Sequence, residues 1–377
     1  MNAAPHPLSP AEKLDWLRLI RSENVGPITF HRLMEHFGSA AAALKALPEV
    51  ARRGGRGKPI TLCAKGVAER EMEAALAVGA EVIARCEPAY PRYLAAIEDA
   101  PPLLFVRGSP HLLQRPMVAI VGARNASLNG RKLARQFALG LTQGSFVVAS
   151  GLARGIDTAA HEGALAGGTV AVNAGGVDTI YPPENAKLYE AIVGAGAVVS
   201  ETPMGEEPQA RHFPRRNRII SGLALGVVVV EATTRSGSLI TARMALEQGR
   251  EVFAIPGSPL DPRAEGPNRL IRQGATLVER ADDVLNDLAD LLRRPLSEPP
   301  ARDFGGRPPP AAEVDSGAAL DRAREEVLGS LGPTPVTVDE IIRQCQLSPP
   351  MVSQILLELE LAGRIERHPG NQVSVIA

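Results

Sequence analysis

The sequence predicts an α/β protein: an extended, doubly wound Rossmann-like sheet, with a small helical domain before it and a winged-helix-like domain after it. Three patterns lead there. Between about residues 82 and 290, short apolar runs without polar alternation are separated by helical stretches, as in parallel strands buried on both faces. Ahead of them lies helical periodicity without strand signals. Behind them, a Pro- and Gly-rich stretch leads to three helix patterns and a hairpin pattern. At 377 residues the chain exceeds one typical domain. We expect a helical domain over 1–75, the sheet domain over 76–290, a linker over 291–319 and the winged-helix-like unit over 320–377.

In the first domain Leu14, Leu17 and Ile20 recur at helical spacing until Asn24-Val25-Gly26-Pro27 breaks the run. The pattern resumes from His31, with Gly38 as a C-cap and Ser39 as the next N-cap. Helix, glycine turn, helix resembles helix-hairpin-helix and sterile-alpha-motif-like modules, although the residues alone favour a plain small bundle. The sheet domain reads as strands at 117–121, 146–149, 169–173, 197–200, 227–230, 252–255 and 275–278, with helices at 130–142, 157–166, 184–193 and 238–248. In the tail, 322–331, 338–344 and 349–362 read as helices, and 364–367 and 372–375 as a hairpin around Pro369-Gly370-Asn371. The third of these helices carries no Lys or Arg and two Glu, so packing or protein contact suits it better than base reading.

Composition excludes several classes. No run of ~18 apolar residues is present, so no membrane span is expected. The first residues lack the charged-then-apolar signature of a secretory signal. Cys63, Cys86 and Cys345 are odd in number and far apart, which disfavours disulfides and structural zinc and fits a reducing cytoplasm. The net charge of −1 means that polyanion binding must come from local clustering.

In a doubly wound sheet, ligands bind beyond the carboxyl ends of the strands. After residues 117–121 come Gly122-Ala123-Arg124, where Arg124 is placed for a bidentate grip on phosphate. After 146–149 comes Ser150-Gly151-Leu152-Ala153-Arg154-Gly155-Ile156-Asp157, read as a phosphate cradle at a helix start. After 227–230, Ser236-Gly237-Ser238 opens another helix. Residues 211–218, Arg-His-Phe-Pro-Arg-Arg-Asn-Arg, hold the densest positive charge, with Phe213 as a stacking surface. Dinucleotide binding is disfavoured because Arg124 stands where the fingerprint has its second glycine. No Walker motif and no Gly-x-Ser-x-Gly elbow occurs. Asp157 and His161 share a helix face, but capping and local bonding suit them better than a metal, so no metal or cofactor is expected.

Ser-Gly-Leu-Ala-Arg-Gly-Ile-Asp (150–157), Tyr181-Pro182, Ser200-Glu201, Phe213-Pro214-Arg215-Arg216-Asn217-Arg218-Ile219-Ile220, Ser236-Gly237-Ser238-Leu239-Ile240-Thr241-Ala242 and Pro256-Gly257 together resemble the DNA-processing protein A family (DprA, also called Smf). The resemblance spans roughly residues 80–285 in consistent order, and the flanking modules look like the family's accessory domains. It implies a cytoplasmic, non-enzymatic protein that binds single-stranded DNA without sequence preference. Such a protein protects incoming DNA in natural transformation and loads the RecA recombinase. The resemblance also implies a homodimer. Carried over, the DNA pocket would use Arg124, Ser150, Gly151, Gly155, Arg215, Arg216, Asn217 and Arg218, with Lys187 a weaker candidate and the Ser236, Gly237 and Ser238 turn beside them. Asn268, Leu270 and Leu277 would lie near the dimer contact. On this reading Arg124→Ala and Arg218→Ala weaken binding alike.

Two alternatives use the same fold. A nucleotide sensor would hold a small ligand in this pocket. Phosphoribohydrolases of the lysine-decarboxylase-like group carry a loop resembling Pro-Gly-Gly-x-Gly-Thr-x-x-Glu with a catalytic Glu. Aligning Gly237-Ser238 with its Gly-Thr puts Thr241 in the place of that carboxylate, and Glu231 precedes the glycine.

Overall fold

The computed structural model describes residues 7–293, 317–368 and 371–376, which fall into two compact units. The expected linker therefore lies largely outside the described residues, as do Pro369 and Gly370 of the final hairpin.

The N-terminal helices are α1 (Pro10–Ile20), α2 (Pro27–Phe37), α3 (Ala40–Arg53) and α4 (Lys65–Ala77). Their punctuation is local chemistry. Pro27 supplies the preset φ of a first helical position. Gly38 ends α2 at φ +72°, in the left-handed region glycine tolerates, and the Ser39 hydroxyl accepts from the Ala42 amide to start α3.

One unit, residues 1–14 and 66–294, contains the sheet. Its elements are β1 (Ala80–Ala84), α5 (Arg92–Ala95), β2 (Leu103–Gly108), β3 (Met117–Val121), α6 (Leu128–Gln143), β4 (Val147–Ser150), α7 (Ile156–Ala164), β5 (Thr169–Val172), α8 (Ala186–Ala195), β6 (Ala197–Ser200), α9 (His212–Leu223), β7 (Gly226–Val229), α10 (Gly237–Glu247), β8 (Glu251–Ala254), α11 (Glu265–Arg272), β9 (Thr276–Leu277) and α12 (Ala281–Arg293). The nine strands lie in the order β1-β2-β6-β5-β4-β3-β7-β8-β9. From β6 to β9 every pairing is parallel. Period-two side chains explain the unbroken apolar runs. Met117, Ala119 and Val121 enter one core with α9 and α10, while Val118 and Ile120 enter the other with α6, α7 and α12.

Two features depart from the sequence reading. β1 and β2 extend the sheet antiparallel, β2 pairing with β6. The basic segment 211–218 is a surface patch only in part: it begins α9, which lies against the sheet with Arg216, Asn217 and Arg218 buried, while Arg211 and Arg215 stay exposed.

The other unit, residues 15–65 and 295–377, joins the N-terminal helices to the C-terminal module. That module comprises α13 (Gly317–Gly329), β10 (Val336–Thr337), α14 (Val338–Cys345), α15 (Pro349–Leu361), β11 (Ile365–His368) and β12 (Gln372–Val375), its sheet ordered β10-β12-β11. On one side α15 buries Val352, Ile355, Leu356 and Leu359 in its own module. On the other, Leu357 and Leu361 enter the core of α1–α3 with Phe30, Leu33 and Leu47. Thr29 donates to Glu360 at 2.6 Å, and a Cβ on Gly54 would lie 1.9 Å from the Glu358 carbonyl oxygen. The helix without Lys or Arg thus packs against protein on both sides.

Candidate nucleic-acid interface

β7 returns to the opposite side of β3 from β4, so the strand order reverses between β3 and β7, and ligands of such sheets gather at that reversal. An open groove of about 660 Å³ lies there. One wall is Gly122–Asn125 after β3 and another is the start of α10 at Ser236, Gly237 and Ser238. Phe213, Arg216 and Asn217 of α9 and Asp261 and Arg263 of the loop before α11 complete it.

Arg124 is the exposed cation of the site. Its guanidinium carbon sits 4.9 Å from the Phe213 ring centre, and Tyr181 lies 5.8 Å from Phe213, tilted by 55°. Aromatic faces and a guanidinium together suit a nucleobase next to its phosphate. Arg216 lies beneath, 6% exposed, its Nη1 donating to the Val172 carbonyl at 2.9 Å. Burial lowers its pKa to about 10, with Asp157 opposing, so it stays charged at neutral pH. Its Nε is buried and has no hydrogen-bond partner among the described residues. Gly151 makes room for this guanidinium: a Cβ there would lie 1.7 Å from Nη1.

The 150–157 turn, read from the sequence as a cradle for an external anion, turns two of its amides to a carboxylate of its own. Gly151 and Ala153 N–H groups both donate to Asp157 Oδ2, at 3.1 and 3.3 Å. The Leu152 N–H donates to His161 Nε2 at 3.3 Å, which forces the proton onto Nδ1 facing Thr169 Oγ1 at 2.7 Å. Leu152 adopts φ +56° with a fully buried side chain, held by these bonds and by Asn185 Nδ2 on its carbonyl at 2.9 Å. Gly155, at φ +82°, is required because a Cβ would strike the Ala123 and Arg124 carbonyls.

Burial pushes Asp157 up to about 6, against the pull of Arg216, and His161 down to about 3. The unfolded imidazole titrates near 6.5. Stability carried by neutral His161 is therefore intact above pH 6.5 and drains as pH falls toward 3. Asp157 acts oppositely, being relieved as pH falls through about 6. The melting temperature of His161→Gln is expected to fall less between pH 7 and pH 5 than that of the natural chain; parallel pH profiles would contradict this.

Other expected contact residues are placed elsewhere. Ser150 is fully buried and donates to the Ile120 carbonyl at 2.7 Å, so its hydroxyl is structural. Arg218 is buried against Glu201 at 2.5 Å and Asp99 at 3.4 Å, an internal ion cluster remote in role from the groove. Asn217, by contrast, lines the groove, and its donation to the Gly237 carbonyl at 3.3 Å ties α9 to α10. Arg215 and Lys187 are exposed but do not line the groove. Of the expected dimer residues, Asn268 folds the preceding loop through both bonds to Gly257, Leu270 packs on the core, and Leu277 is 48% exposed on edge strand β9. The sequence reading missed Arg263, whose ion pair with Asp261 at 3.0 Å forms one rim.

Comparison with known proteins adds relatives to this geometry. A sequence model of the family described as DNA recombination-mediator protein A matches residues 81–289. A DprA-like N-terminal HHH domain matches residues 10–74 and a DprA winged helix domain residues 308–371. Protein Smf of Escherichia coli (strain K12) is 44% identical over 287 residues, 75% of this chain and 74% of that protein. DNA processing protein DprA of Streptococcus pneumoniae (strain ATCC BAA-255 / R6) is 50% identical over 198 residues, 52% of this chain and 70% of that protein. The X-ray structure of DprA from Streptococcus pneumoniae superposes with a TM-score of 0.62 at 37% identity, covering 75% of this chain and 99% of that one. A Helicobacter pylori DNA processing protein A structure, described as showing a unique single-stranded DNA binding mode, gives 0.52 at 28% identity, covering 56% and 96%.

Proposed function

The chain belongs to the DNA recombination-mediator protein A (DprA/Smf) family, and from that premise we propose that its sheet domain grips the backbone of single-stranded DNA without reading sequence and without reacting with it. The observation that carries the reading is Arg124, exposed at the strand-order reversal over Phe213, with the buried charge of Arg216 behind it. Guanidinium groups and a helix start meet phosphates, which carry no base information. Two aromatic rings offer stacking that every base accepts. A relative of the same fold is described as binding single-stranded DNA.

The phosphoribohydrolase alternative is disfavoured by what stands in place of its catalytic carboxylate. Thr241 lines the groove where a phosphoribohydrolase would bring its Glu. Both Glu231 oxygens are taken by Ser127, one by its amide at 2.9 Å and one by its hydroxyl at 2.5 Å, and so Glu231 secures the start of α6. The wider role we propose is protection of incoming strands and loading of the RecA recombinase in a cytoplasmic homodimer. The exposed edge strand β9, with Leu277, is the proposed dimer contact. Among the described residues, no helix is long and apolar enough to cross a membrane.

Labelled oligonucleotide titrated with competing AMP tests the reading. Tight single-strand binding that mononucleotide does not displace supports it. Displacement by AMP favours the nucleotide sensor, and release of adenine from AMP overturns the non-catalytic reading.

A further inference from the structure

We propose that the groove continues past Arg124 into a second phosphate-binding trough, built around Arg131, Arg135 and Arg154, which holds the next stretch of the same single strand. This rests on the single-strand reading above.

The trough is an open concavity of about 580 Å³ and shares Arg124 and Asn125 with the groove, so the two meet at one cation. Arg131 and Arg135 stand four residues apart on the first turns of α6, hence on one helix face. Arg154 reaches it from the turn before α7. Among the described residues no aromatic side chain lines the trough, in contrast to the groove, so its chemistry is that of a phosphate track and not a base platform.

The start of α6 is already answered by the Glu231 carboxylate through Ser127, so the trough's charge comes from its arginines. Two further carboxylates lie close and do not cancel it. Glu162 pairs with Arg135, and Glu184 with Arg154 at 3.3 Å, but both pairs are about half exposed, where such contacts contribute at most about 1 kcal/mol. A phosphate can take the place of either carboxylate.

The test compares a short homopolymer of about five nucleotides, which one groove accommodates, with one of about twenty. With the natural chain the longer strand should bind at least tenfold more tightly. In Arg131→Ala/Arg135→Ala that gain should vanish, the salt slope for the long strand should fall by about 1.4, and short-strand affinity should stay within twofold. Glu162→Gln/Glu184→Gln should tighten the long strand only. An unchanged long-strand affinity and slope in the arginine variant overturns the trough, as does an equal loss on both lengths. If the natural chain binds neither strand, the groove reading itself fails and the trough with it.

Discussion

Arg218→Ala is expected to destabilise the sheet domain by about 3–5 kcal/mol, a drop of order 10 °C in melting temperature. Arg218 is 6% exposed; its guanidinium donates to the Asp99 carbonyl and pairs with the Glu201 carboxylate at 2.5 Å. The Glu201 side chain is itself 15% exposed. Removing the cation breaks a buried ion pair from one side, in a site water reaches poorly, and that is the costly way to lose such a pair. The loss in DNA affinity should be no more than the loss of folded protein explains. A variant with unaltered melting temperature and abolished binding would return Arg218 to the groove.

Gly151→Ala is the second large effect. The added methyl would lie 1.7 Å from Arg216 Nη1 and 2.8 Å from Asp157 Oδ2, so the buried guanidinium must leave its bond to Val172. Overpacking of this kind costs about 1–3 kcal/mol, and single-strand affinity should fall at least tenfold as Arg216 moves. The mechanism has a signature. In an Arg216→Ala background the same methyl should cost less, because the closest atom it strikes is gone and only the 2.8 Å approach to Asp157 Oδ2 is left. Additive losses in the double variant would place the strain elsewhere.

Much of this architecture is legible in the residues. The strand at Met117–Val121 is apolar at every position because both faces are covered, and Gly38-Ser39 announces a helix end and a helix start through local bonds. What the residues hide is long-range pairing. Arg216, Asn217 and Arg218 look like a basic surface because their partners, Val172, Gly237, Glu201 and Asp99, lie up to 119 positions away. A polar stretch that buries its side chains against partners distant in sequence has the same composition as one that faces water. The 150–157 turn misleads differently. Its glycines do mark a close backbone approach, but Asp157 and His161, six and nine residues beyond their amide donors, take the amides. An acid and an imidazole that soon after a glycine turn are the signal for a turn that binds itself. The antiparallel strands β1 and β2 carried no such marker and were missed. The lack of Lys and Arg in α15, by contrast, was a true signal for a helix enclosed by protein.

The site therefore shifts from the turn's amides to the guanidinium of Arg124 above them. Single-strand binding measured against salt, for the natural chain and Arg124→Ala on two unrelated sequences, tests this most directly. Each phosphate contact on a single strand contributes about 0.7 to the slope of log affinity against log salt. Arg124 is exposed, so its removal should leave the melting temperature unchanged. The slope should fall by about 0.7, with equal losses on both sequences. An unchanged slope, or a loss confined to one sequence, would contradict a groove that holds backbone phosphate through Arg124.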